Sequence, residues 1–151
     1  MCIRDSFPPW ATAAVETPRS PREGSGPIRV LLVEDHASLA AVTARLLRRE
    51  GLEVHVAGSG KGALEAASTF PQDILLCDLN LPDMSGLDVI RELKSACPAE
   101  IIRAVIVTGT DASEVASLRR NAAKLGVHEF VTKPLTVEAI RGIVARFEAG
   151  C

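Results

Sequence analysis

Side chains able to do chemistry follow directly on short apolar runs of this chain. Glu34 and Asp35 follow RVLLV, Asp78 follows ILLC, Thr108 follows RAVIV, and Lys133 follows HEFVT. A carboxylate at the end of a run built for burial is costly unless something pairs with it. Three carboxylates drawn together at ~5 Å, with an effective dielectric of about 20, repel by roughly 3 kcal/mol per pair, so they call for a cation. Hard oxygen donors on loops, with room for water, suit Mg²⁺. Lys133 adds a point charge suited to a phosphoryl oxygen. A metal, an ammonium and a hydroxyl around one carboxylate would stabilise a phosphoryl group passing onto that carboxylate.

Taken singly, each residue has an ordinary reading. Asp35 or Ser38 would cap a following helix, Thr108 would be a strand-end threonine, Lys133 a surface lysine, and Pro134 the end of a strand and the start of a helix. The weight lies in their shared position, which depends on the elements that carry them. From Ile28 onward a β-branched or leucine-rich run, a loop and an alanine-rich amphipathic stretch recur. The strands are expected at Arg29 to Val33, Glu53 to Ala57, Asp73 to Cys77, Arg103 to Val107 and His128 to Thr132. The helices are expected near 38 to 50, 60 to 69, 86 to 96, 113 to 125 and 136 to 147, with Leu39, Val42, Leu46 and Leu47 at helical spacing in the first. Gly51 and Gly126 stop their helices with the residue best able to take positive φ. Such β-α repeats imply an α/β parallel sheet with helices on both faces, because parallel strands need right-handed crossovers. RVLLV and DILLC read as central strands and the more polar EVHVA as an edge. In this architecture ligands sit outside the carboxyl ends of the strands, where all the residues above fall.

The rest of the chain narrows the function classes. Its 151 residues fit one domain, a formal charge of −2 gives no electrostatic footprint for nucleic acid or anionic membrane, and no apolar run approaches the roughly eighteen residues of a span. The four cysteines, Cys2, Cys77, Cys97 and Cys151, have no CxxC spacing and no histidine cluster, which argues against zinc and disulfides and for a reducing cytoplasm. His36, His55 and His128 show no ligand spacing, with His36 a solvated loop residue beside the site. Cys77 reads as packing. Residues 1–27 hold five of the nine prolines and no helical or strand period, and read as a disordered linker. Their opening, MCIRDS, resembles translated sequencing-adapter read-through and is set aside.

Glu34 and Asp35, Asp78 within DLNLPDMSG, Thr108 before Gly109, and Lys133 before Pro134, in this order, resemble the receiver domain of two-component response regulators. The resemblance covers 28–147, leaving 148–151 as a tail. It implies a flavodoxin-like doubly wound five-stranded parallel sheet of order 2-1-3-4-5 with five helices. It further implies Asp78 as phosphoacceptor from a phosphohistidine on a histidine kinase or histidine phosphotransfer protein. Mg²⁺ would be held by Asp35, by Glu34 often through water, by Asp78 and by the backbone carbonyl of Asn80. Lys133 would pair with the phosphoryl group, usually with a cis bond to Pro134, and Thr108 would move to bond it. Phe130 would then turn inward, so that the face of the fourth helix, fifth strand and fifth helix, also a homodimer surface, reads the change. The span from Thr108 to Lys133 is a few residues longer than in the commonest receivers. Asn80 and Thr110 flank the expected path of attacking water. The proline-rich stretch before Ile28 suits a receiver tethered behind the kinase core of a hybrid histidine kinase.

Three rivals are weaker. A haloacid dehalogenase-like phosphohydrolase wants a second acid two residues after its nucleophile, where this chain has Asn80. A flavin module would need donors, and Glu34-Asp35-His36 is acidic where the phosphate would lie. A receiver-like docking module that is never phosphorylated has no need of Asp78, Thr108 and Lys133 together.

Overall fold

The apolar runs form strands and the alanine-rich stretches form helices throughout the described residues, 26–69, 72–96, 103–109 and 112–150 of the computed structural model. Most of the expected linker, and Cys2, Cys97, Thr110 and Cys151, lie outside these residues. The order is β1 (Arg29–Val33), α1 (Ala37–Arg49), β2 (Glu53–Ala57), α2 (Gly60–Thr69), β3 (Ile74–Asp78), α3 (Gly86–Ala96), β4 (Arg103–Thr108), α4 (Ala112–Leu125), β5 (Glu129–Thr132) and α5 (Val137–Gly150). The strands pair in parallel in the order β2-β1-β3-β4-β5. This is the flavodoxin-like order expected, and β1 and β3 are central while β2 lies at an edge. Every residue of β3 is buried.

Alternation along the strands sorts the core onto two faces. Leu31, Val33, Leu75, Cys77 and Ile106 pack with Ala63 and Leu64 of α2, Val89 and Ile90 of α3, and Ala122 of α4. Val30, Leu32, Leu76 and Val105 pack on the other face with Ala44 and Leu47 of α1 and Ile140, Ile143 and Phe147 of α5. Each such aliphatic side chain contributes roughly 1.5–3 kcal/mol through burial, and together they fix the register that sets where each strand ends. Gly51 (φ 86°) and Gly126 (φ 101°) end α1 and α4 as expected. In both, the next amide reaches back five residues, Leu52 N–H to Leu47 O at 3.2 Å and Val127 N–H to Ala122 O at 3.0 Å.

Several boundaries differ from the sequence reading by a residue, among them the starts of β3 (Ile74, not Asp73) and β5 (Glu129, not His128). Asp78 is the last residue of β3 and Thr108 the last of β4, so both stand on the sheet and not in the loops after it. Residues 148–150, expected as a tail, continue α5. Thr136 begins α5 by accepting a hydrogen bond from Ala139 N–H at 3.1 Å on its hydroxyl, and Pro134, read as the start of this helix, lies before it, since α5 begins at Val137.

Candidate functional site

Ladder hydrogen bonds continue one residue past the strands and place the site. Glu34 N–H donates to Ala57 O (3.0 Å), Leu79 N–H to Val107 O (3.0 Å), and Lys133 N–H to Thr108 O (2.8 Å). The residues after β1, β3 and β5 are thus held by the sheet itself. Lys133, joined to Pro134 by a cis peptide bond, turns its ammonium back over the sheet end. Its Nζ lies 2.9 Å from Asp78 Oδ2 and 3.1 Å from Glu34 Oε1. Glu34, Asp78 and Thr108 are nearly fully buried, at 6%, 6% and 1% exposure. Burial opposes the charge on Lys133, but hydrogen bonds and attraction from Asp78 and Glu34 outweigh it and hold the amine above its ordinary value.

Asp35 is not consumed as a helix cap. Helix α1 begins at Ala37 after His36, and its N-terminus has no side-chain cap. The Asp35 carboxylate is 28% exposed, and His36 Nδ1 lies 3.4 Å from its Oδ1 and 3.3 Å from Glu34 Oε2. His36, with 72% of its side chain exposed, is solvated as expected. Its contact with both acids is a feature the sequence reading did not foresee, since no spacing rule encodes it. The ligand atoms of Glu34, Asp35 and His36 all lie within 4.8 Å of one another, and Lys133 links Asp78 to this group.

Asn80 lies in the loop between β3 and α3, its amide 3.3 Å from Asp78 Oδ1. The loop is closed by an isolated bridge between Asn80 and Ser85 and by Gly86 N–H donating to Leu79 O at 2.8 Å. A Cβ at Gly86 would collide with the carbonyl oxygen of Asp78, so glycine is needed for the loop to return this close to the strand. Phe130 is partly buried against the core face of α2, α3 and α4, opposite Ile106 in the sheet. Cys77 is fully buried, and burial, reinforced by the Asp78 and Glu34 charges, pushes its thiol far above the ordinary range. It stays protonated and inert.

The donor set can be tested against a metal by its charge. Glu34, Asp35 and Asp78 bring three formal negative charges and Lys133 one positive, a surplus of two negative charges. A divalent cation cancels that surplus. Oxygen donors, with Asp35 open to water, suit Mg²⁺ better than soft ions. A small cavity, with room for about one water, is lined by Glu34, Asp78 and Lys133 together with apolar residues such as Leu39, Leu76 and Val107. Apolar neighbours lower the local dielectric and strengthen the electrostatics among these charges.

The family model for the response regulator receiver domain matches residues 30–145. The chain is 41% identical over 120 residues to the sensory transduction protein RegX3 of Mycolicibacterium smegmatis, covering 80% of this chain and 49% of that protein. It is 33% identical over 120 residues to the aerobic respiration control sensor protein ArcB of Escherichia coli, covering 80% of this chain and 15% of that protein. The chain therefore spans about half the length of the first of these relatives and a smaller part of the second. A CheY-like response regulator receiver domain from Methylobacillus flagellatus superposes with a TM-score of 0.72 at 29% identity, over 81% of this chain and 99% of that one. Receiver domains generally bind Mg²⁺ in an acidic pocket and interact with histidine kinases or phosphotransfer proteins. With the doubly wound sheet and the match along most of its length, this chain belongs to the response regulator receiver domain family of two-component signalling.

Proposed function

We propose that Asp78 accepts a phosphoryl group from a phosphohistidine on a histidine kinase or phosphotransfer protein. The observation that carries this reading is Lys133, whose ammonium bridges Asp78 and Glu34 at the end of the sheet while two acidic charges stay unmatched. An Asp78 carboxylate oxygen attacks phosphorus, the P–N bond of phosphohistidine breaks, and an acyl phosphate forms. Lys133, already beside Asp78, pairs with a phosphoryl oxygen. The hydroxyl of Thr108, on the neighbouring strand end, then turns to the same group, and Phe130 follows into the core. Mg²⁺ held by Glu34, Asp35, Asp78 and the Asn80 carbonyl would neutralise charge on the phosphoryl oxygens.

The reading extends to the whole domain. Residues 28–147 form the switch and 1–27 a linker. The face of α4, β5 and α5 carries the output and a homodimer contact. The chain acts in the cytoplasm, catalyses only its own phosphorylation and dephosphorylation, and does not itself bind nucleic acid or membrane. No helix among the described residues is long and apolar enough to cross a bilayer. Attachment to a hybrid histidine kinase remains the proposed context. Asparagine at position 80, with its side chain exposed, leaves the hydrolase alternative without its second acid.

Incubation with acetyl phosphate and Mg²⁺ tests the assignment. Wild type gains one acid-labile phosphoryl group, while Asp78→Asn gains none, a loss of at least about a hundredfold in rate. Full labelling of Asp78→Asn would remove Asp78 from its role, and an unlabelled wild type would favour the docking-module alternative.

A further inference from the structure

Asp83 lies in the β3–α3 loop, five residues beyond Asp78, and reaches across to a different helix. Its Oδ1 accepts a hydrogen bond from Gly60 N–H at 2.8 Å and its Oδ2 one from Lys61 N–H at 2.9 Å. These amides open α2. Helix α2 already has a local cap, because Ser59 Oγ accepts from Gly62 N–H at 3.0 Å and Ser59 O from Ala63 N–H at 2.9 Å. Ser59 thus serves Gly62 and Ala63, and the carboxylate of Asp83 serves the two first-turn amides that Ser59 leaves, from a different segment of the chain. Two charge-assisted bonds from one carboxylate fix its orientation as well as its distance. The Lys61 and Gly60 amides also hold its carboxyl below the usual range.

Packing reinforces this tie. Met84 lies over Gly60 so closely that a Cβ there would collide with its Cγ and Sδ. The far end of the same loop is held at Gly86, against the carbonyl oxygen of Asp78. Asn80 thus sits in a segment closed on itself at Leu79 and Gly86 and anchored to α2 at Asp83 and Met84. A backbone carbonyl is a useful Mg²⁺ ligand only if it is already presented, because this ion demands near-ideal octahedral geometry and leaves its waters reluctantly. A loose loop would have to be ordered when the metal binds, and affinity would fall by that cost.

We propose that Asp83 is a positioning residue, tethering the β3–α3 loop to the start of α2 so that the Asn80 carbonyl is preorganised for Mg²⁺. This rests on the metal reading of the site given above and adds a residue that touches neither metal nor phosphoryl group. It makes the beginning of α2 part of the frame of the metal site.

The test compares Asp83→Ala with Ser59→Ala in the full 151-residue chain. Both remove a cap from the same helix end, but only Asp83 also holds the loop. Mg²⁺ affinity is read from amide NMR shifts of Asp35 and Asn80, and metal-free hydrogen exchange is read at the Gly86 amide. Asp83→Ala raises the Mg²⁺ Kd about tenfold, as loss of an outer-shell partner does, and speeds exchange at Gly86. Ser59→Ala leaves both near wild type, and Asp83→Asn, which keeps one acceptor oxygen, falls between. Equal weakening of Mg²⁺ binding in Asp83→Ala and Ser59→Ala would overturn the proposal in favour of a general helix-end effect. Unchanged exchange at Gly86 in Asp83→Ala would overturn the tether. A wild type with no Mg²⁺ response would instead sink the metal reading itself, whatever the exchange at Gly86.

Discussion

The two edges of the sheet carry charge in opposite ways. At the amino ends of the strands the two acids withdrawn from solvent, Asp73 and Glu129, are matched. Asp73, 1% exposed, accepts Arg29 N–H at 2.9 Å and lies 3.6 Å from the Arg29 guanidinium. Glu129 meets Arg103 Nε at 3.0 Å and Arg146 Nη2 at 2.6 Å. At the carboxyl ends, Lys133 pairs with Glu34 and Asp78, while Asp35 lies beside Glu34 with no ammonium against it among the described residues. An acid withdrawn from water at such an edge is costly unless it keeps its partner. A surplus of one sign is left where a ligand of the other sign is to be received, so charge balance separates the structural edge from the functional one.

The comparison predicts opposite outcomes for removing an acid. Asp73→Ala should lose about 3 kcal/mol, because it leaves a buried amide and guanidinium unpaired, and urea unfolding measures it. A loss below about 1 kcal/mol would erase the distinction between the edges. Lys133→Ala should lose about 1 kcal/mol in metal-free buffer, and Mg²⁺ should restore it by supplying positive charge where the ammonium stood. The same variant, once phosphorylated, should not show the wild-type amide shifts around Phe130. Asp35→Asn should gain about 0.5 kcal/mol without metal, since it removes a member of the surplus, and should weaken Mg²⁺ binding. Destabilisation there would mean that Asp35 holds up the fold.

The smallest effect is one of pH. Burial alone would raise the carboxyl of Glu129, but its bonds to Arg146 and Arg103 outweigh that and place it below its ordinary 4.5. A carboxyl lowered by folding contributes stability above its unfolded value and loses it as pH falls through the folded one. The deficit of Glu129→Gln relative to wild type should therefore be constant near neutrality and shrink in acid below about pH 4.5. A deficit that grows on acidification would reverse the sign.

Much of this was legible in the sequence because the sheet is built from local signals. Apolar runs of β-branched residues and leucines gave strands to within a residue, and in a parallel α/β sheet every strand end falls on the same edge. That alone assigns Glu34, Asp35, Asp78, Thr108 and Lys133 to one edge of the sheet. What the sequence could not show were contacts between segments distant in the chain. The tie from Asp83 to Gly60 and Lys61 spans more than twenty residues, and no local pattern separates it from an ordinary loop aspartate. The bridge of Lys133 to Glu34 as well as Asp78 depends on how far apart β1, β3 and β5 end. His36 occupies the cap position of α1 although Asp35 and Ser38 are better capping residues, with Glu34 two residues before it held by the sheet.

The central claim is that the surplus of acid at the carboxyl edge exists to bring a divalent cation and a phosphoryl group to Asp78. Residue-level mapping of the phosphoryl group after acetyl phosphate treatment, with Mg²⁺ and with a chelator, tests it most directly. The account predicts modification at Asp78 alone, and only when Mg²⁺ is present. Modification at another residue, or labelling of Asp78 that is indifferent to the chelator, would contradict it.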